Sequence, residues 1–209
     1  MIDFDDIKKN GFFRSLFFTW KKSLFTPEDF FQEISTNKNI MHPYFYAIIF
    51  GYMNLVFSFF WEILFFRIGF YSNYSFLPQI PLLFEQKNTL AFFIILGIAI
   101  LLLIAGILYT VFLMILTVII HGFNLLLGGK NEFRYTFRII CYSAGVNLFS
   151  ILPIFGYNVV TSWFAVLAVI GIKKTNGLST ARSIMVILLP YIFLSLIAII
   201  FIVKIIAMR

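Results

Sequence analysis

Apolar residues in this chain gather into long runs separated by short polar segments, as in helices that cross a bilayer. Five such runs stand at residues 44–66, 90–127, 139–154, 159–172 and 183–206. A helix rises about 1.5 Å per residue, so about 20 apolar residues span a hydrocarbon core about 30 Å thick. A run such as "IILGIAILLLIAGIL" lacks the apolar–polar alternation of a barrel strand. The pattern predicts an all-α membrane protein with five transmembrane helices.

The second run is too long for one crossing: 38 residues as one helix would measure roughly 57 Å. It is either a hairpin breaking near Gly106 or a single helix whose end projects from the membrane. Charge separates the two. If it is one helix, residues 1–43, 128–138 and 173–182 share a side and hold 12 of the 16 Lys and Arg residues. Cytoplasmic loops carry such an excess, so one unusually long helix is expected. The third and fourth runs are short and flank Pro153, Gly156 and Asn158, so they read as a helical hairpin. This topology leaves the N-terminus in the cytoplasm and the C-terminus outside.

Before the first run the pattern changes. Across residues 12–24, Phe12, Phe13, Leu16, Phe17, Trp20 and Leu24 share one helical face, with Arg14, Lys21 and Lys22 opposite. That is an amphipathic helix, suited to the membrane interface or to packing on the rest of the protein. In "TPEDFFQEI", Thr26 is a candidate N-cap, Pro27 suits the first helical position, and Glu28 and Asp29 suit the first turn. The chain therefore divides into an arm of cytosolic or interfacial helices, residues 1–43, and a transmembrane domain, residues 44–209.

Composition agrees with that division: the 209 residues are 61% hydrophobic and 12% charged, which excludes a water-soluble globule. The net charge of +7 fits cytoplasmic loops and anionic lipid headgroups better than nucleic acid. A single cysteine, Cys141, allows no internal disulfide and no thiolate cluster. No cleavable signal pattern opens the sequence.

The segments "LFTPEDFFQEI", "HPYFYAIIFG", "HGFNLLLGGKNEFRYTFRIICYSAG", "ILPIFG" and "AVIGIKKTNGLSTARSIMVILLP", in that order, resemble the YIP domain family. These are the Ypt/Rab-interacting membrane proteins and their prokaryotic relatives, and the likeness covers residues 24–190. Asn147 stands where many relatives carry a proline, and the arm is shorter than in eukaryotic relatives. The resemblance implies a five-helix membrane protein of scaffolding or trafficking type.

Ionisable and amide groups inside a bilayer are costly and so are candidates for function. Asn54, Glu62, His121 and Asn147 could line a polar path, which would make the chain a small transporter or transport subunit. The plainer readings are headgroup contact or pairing with Arg67 for Glu62, and hydrogen bonds between helices for His121 and the asparagines. Lys130, Arg134, Arg138, Lys173, Lys174 and Arg182 are expected to converge on the cytoplasmic face as topogenic charge, or as a surface for anionic lipid or an acidic partner. Gly128 and Gly129 read as a helix C-cap and turn, since no Walker pattern surrounds them. No protease motif is present, and no His or carboxylate stands at metal-ligand spacing from His121. The expectation is a non-enzymatic scaffold without cofactor or metal, bound to the bilayer and to unidentified protein partners, with self-association permitted.

Overall fold

The computed structural model describes residues 2–7, 11–34, 39–68, 88–153 and 156–207, and these are helical throughout apart from turns. A 3₁₀ turn, Asp3–Asp6, precedes α1 (Phe12–Phe25) and α2 (Pro27–Glu33). The bundle follows: α3 (Met41–Arg67), α4 (Asn88–Leu126), α5 (Phe133–Ser143), a 3₁₀ segment (Ala144–Ile151), α6 (Gly156–Asn176) and α7 (Thr180–Ala207). Among the described residues, two stretches are long and apolar enough to cross a membrane, Met41–Phe65 and Ile100–Leu126, and Thr180–Phe193 is a shorter apolar helix.

The second apolar run is one continuous helix of 39 residues with no break at Gly106. That glycine serves the crossing of α3 and α4. The Tyr52 ring lies over Gly106 and the Tyr109 ring over Gly51, so each helix offers a bare backbone to a tyrosine of the other. Tyr52 Oη then donates to the Leu102 carbonyl at 3.0 Å, and Tyr44 Oη stands 2.9 Å from Thr110 Oγ1. Small residues let two backbones approach where lipid provides no hydrophobic drive between helices.

The third run departs from expectation. It is not one α-helix over 139–154: the helix starts at Phe133, ends at Ser143, and gives way to eight residues of 3₁₀ helix. α5 is the central element, packed against α3, α4 and α6 and touched by α1. All eight residues from Thr136 to Ser143 are buried. Gly171 of α6 sits against the Ile139 side chain, where a Cβ would collide, which fixes the close approach of α5 and α6. The connecting loop expected before α4 lies largely outside the described residues, and α4 is already helical at Asn88.

Helix α1 forms where the amphipathic pattern predicts it, but its orientation has another basis. Ser15, Thr19 and Ser23, one helical face at i, i+4 and i+8, are fully buried against the bundle. Phe13, Phe17 and Phe25 are 82%, 54% and 64% exposed. Thr26 does not cap α2 with its side chain; its hydroxyl donates instead to the Lys22 carbonyl at 3.2 Å. The start of α2 rests on Pro27 and on Glu28 and Asp29 in its first turn.

Candidate functional site

One end of the bundle gathers the arm, the loop after α4 and the loop after α6. α4 closes at Gly128, whose φ of +94° is a left-handed conformation that glycine adopts without penalty. The Gly129 amide returns to the Asn124 carbonyl at 2.7 Å. Asn124 Nδ2 donates to Asn176 Oδ1 at 3.2 Å, which also accepts the Asn131 amide at 3.3 Å, and Asn131 Nδ2 donates to the Thr175 carbonyl. The arm joins the same end: Lys174 Nζ is 2.7 Å from Glu28 Oε2. This ion pair holds the Glu28 carboxyl below the usual carboxylate range, chiefly through the hydrogen bond from Lys174.

The six basic residues expected to share this face separate into three groups. Lys130 and Arg182 are exposed, Lys173 is half-buried, and Lys174 is half-buried and engaged with Glu28. Arg134, half-buried, reaches back 2.5 Å to Glu132. Arg138 is not on the face at all. Its side chain is 0% exposed and is paired at 2.6 Å with Asp5, itself 1% exposed.

Around that pair the structure builds an enclosed polar cluster with no counterpart in the sequence reading. Arg138 Nη2 meets Asp5 Oδ2, and Nη1 donates to the Asn39 carbonyl. Tyr142, one turn along α5, donates from Oη to Asp5 Oδ1 at 2.7 Å, and the guanidinium lies 5.7 Å from its ring centroid. Both oxygens of one carboxylate are thus satisfied by groups spaced i, i+4 on a buried helix. Beside them Phe4 is buried edge-on to Tyr46 and its amide donates to Thr19 Oγ1 at 2.9 Å. At the rim Lys22 bonds Asp3 at 2.8 Å, and this hydrogen bond raises the lysine above its ordinary pKa.

The amides and ionisable groups proposed to line a path are scattered. Glu62 is exposed on α3, and the Arg67 side chain suggested as its partner lies outside the described residues. His121 Nδ1 is 3.0 Å from Thr136 Oγ1, and its ring stands edge-on to Phe133. Asn147 Nδ2 donates to Tyr109 Oη at 3.3 Å, while Asn54 is half-buried on α3. Among the described residues no hydrogen bond or ion pair joins any two of these four. The crevice between α4 and α7, about 260 Å³, is lined by apolar side chains including Val118, Ile119, Phe123, Pro190 and Phe193. No group of three or more His, Cys, Asp or Glu residues is placed to hold a metal among the described residues.

The family model of the Yip1 domain matches residues 21–202, from within α1 to near the end of α7. The chain belongs to the Yip1 domain family. It is a membrane-associated protein of YIP type, and the matched region contains the Gly128–Gly129 turn, the whole of α5 and the Lys173–Arg182 loop. The seat for Asp5 on α5 is therefore inside the Yip1 domain, whereas Asp5 itself precedes the match. No curated protein and no solved structure matches the chain.

Sequence reasoning missed the Arg138 cluster because Asp5 lies 133 residues away. One signal was available: Arg138 and Tyr142 stand i, i+4 within an otherwise apolar stretch, the spacing at which two donors reach one acceptor.

Proposed function

We propose that this Yip1 domain protein is a non-enzymatic, five-span membrane scaffold whose cytoplasmic face binds protein partners or anionic lipid headgroups, in membrane organisation or trafficking. The observation that carries the reading is the joining of three segments at one end of the bundle: Glu28 to Lys174, and Asn131 to Thr175 and Asn176. These bonds give exposed Lys130 and Arg182 a fixed common surface, and fixed cations favour anionic partners. Helix α1 extends that surface with outward phenylalanines and with exposed Arg14 and Lys21 at its flank, the composition of a helix lying in the headgroup region. The N-terminus is cytoplasmic in this reading and the C-terminus outside.

The test is mass spectrometry of the proteins and lipids retained by the chain in native nanodiscs. A stoichiometric protein partner or an enriched anionic lipid, lost when Lys130, Arg134 and Arg182 are changed to Gln, is expected. Retention of bulk lipid alone, unchanged by those substitutions, refutes the scaffold. Topology is read separately by labelling cysteines introduced at Asn131 and Asn73. Cys141 is buried and contributes little background. Labelling from opposite sides is expected, and same-side labelling rules out the five-span arrangement.

A further inference from the structure

We infer that the Arg138 pocket is a recognition site for an acidic–aromatic peptide segment, and that residues 2–5 of the chain occupy it in cis. This rests on the scaffold reading only in supposing a protein partner, and the experiment below tests the pocket directly.

The walls of the pocket come from the folded bundle and arm: Thr19 of α1, Tyr46 of α3, Arg138 and Tyr142 of α5, with the Asn39 carbonyl and Lys22 at the edge. The occupant is four residues, "IDFD", and every one is engaged. Ile2 and Phe4 are only 2% and 1% exposed, Asp3 takes Lys22, and Asp5 takes Arg138 and Tyr142. Its backbone is also read, through the Phe4 amide on Thr19. Asp3, Phe4 and Asp5 thus meet Lys22, Tyr46 and the Arg138–Tyr142 pair, while Ile2 and Phe4 join the apolar core, so polar and apolar recognition are combined over four residues.

A buried guanidinium without an anion is strongly unfavourable, so the pocket selects an occupant bearing a carboxylate. The cis segment is a short 3₁₀ turn joined to α1 through Gly11, at a φ of +78°, so a segment of the same chemistry on a partner protein competes with it on chemical terms. Covalent attachment gives the cis segment a local advantage over a free segment. The partner segment therefore binds weakly while the cis segment is seated and tightly once it is displaced.

The full-length chain is placed in nanodiscs of phosphatidylcholine and titrated with a fluorescent peptide of sequence MIDFDDI, read by anisotropy. The variant Phe4→Ala with Asp5→Ala opens the pocket. Saturable binding at least tenfold tighter than to the unmodified chain is expected, with loss on adding Arg138→Gln and no binding of the peptide MINFNNI. Equal binding of both peptides, or of neither, by an open variant that elutes as a single species overturns the proposal. Displacement of MIDFDDI by soluble inositol phosphates at lower concentration than by unlabelled peptide also overturns it, because the pocket would then be a lipid-headgroup site. Should the open variant not fold, a peptide with benzophenone in place of its phenylalanine is applied to the unmodified chain. Crosslinks to α1, α3 or α5 that unlabelled peptide competes away are expected, and none up to millimolar peptide overturns the proposal.

Discussion

Replacing Asp5 by Ala removes the counter-charge of a guanidinium that is 0% exposed, together with the acceptor of Tyr142. Breaking a buried ion pair by deleting one partner costs about 3–5 kcal/mol, because the remaining charge keeps its desolvation without its attraction. The apolar part of the docking is of similar size: burying Ile2 and Phe4 contributes about 1.5–3 kcal/mol each. Loss of the pair therefore nearly cancels the docking of residues 2–5, and the segment detaches while the bundle stays folded. Water then reaches Arg138, which limits the cost to the docking free energy. Hydrogen exchange of the full chain in nanodiscs, read by mass spectrometry on peptides covering residues 2–7, measures this opening. Since about 1.4 kcal/mol is tenfold, a loss of about 3 kcal/mol accelerates exchange by about 100-fold. Residues of α5 on the far side from Arg138 keep their protection. The paired substitution Asp5→Leu with Arg138→Met recovers most of the lost protection, because no unpaired charge remains. An acceleration below about threefold in Asp5→Ala, roughly 0.7 kcal/mol, refutes the reasoning, because the ion pair would then not hold the segment.

Three further outcomes are expected. Gly171→Ala pushes a Cβ into Ile139 and lowers the thermal stability of the purified chain by about 1–3 kcal/mol, whereas Gly122→Ala, with open space around it, does not; equal effects refute the close-contact argument. Lys22, its pKa raised above 10.5 mainly by the hydrogen bond to Asp3, contributes stability that is complete below pH 10.5 and is lost as pH rises through the folded pKa. An amine-specific reagent near pH 10.5 accordingly modifies Lys22 more slowly in the unmodified chain than in Asp3→Asn, and equal rates contradict it. A fluorophore on Phe13→Cys is quenched by brominated lipid more strongly than one on Lys21→Cys, and equal quenching refutes the interfacial placement of α1.

Much of the helical layout is a local property and can be read from the chain. Apolar runs of sufficient length are helices because a backbone in lipid must satisfy its own hydrogen bonds. The charge asymmetry of the flanking segments favoured one helix over the 90–127 run, and the continuous α4 agrees. The α2 start follows from Thr26–Pro27 and two carboxylates, although the threonine hydroxyl turns elsewhere. The extent of α5 was not legible, because Arg134 and Arg138 interrupt the apolar pattern and read as a solvated loop.

Sequence by itself determined that this chain is a bundle of long apolar helices preceded by an amphipathic arm, and it carried the order of motifs of the Yip1 domain. Only tertiary structure decided which face of α1 turns inward and where Arg138 goes. Lipid and protein interior both accept phenylalanine, so helical periodicity defines two faces of α1 without saying which one meets the bundle. The hydroxyl face goes in because Thr19 finds the Phe4 amide and Ser23 comes within 3.4 Å of Tyr46 Oη, groups supplied by other elements. Arg138 can be buried for the same kind of reason: the fold brings Asp5 to it from 133 residues away in the chain, and a charge can leave water only where its partner is already in place.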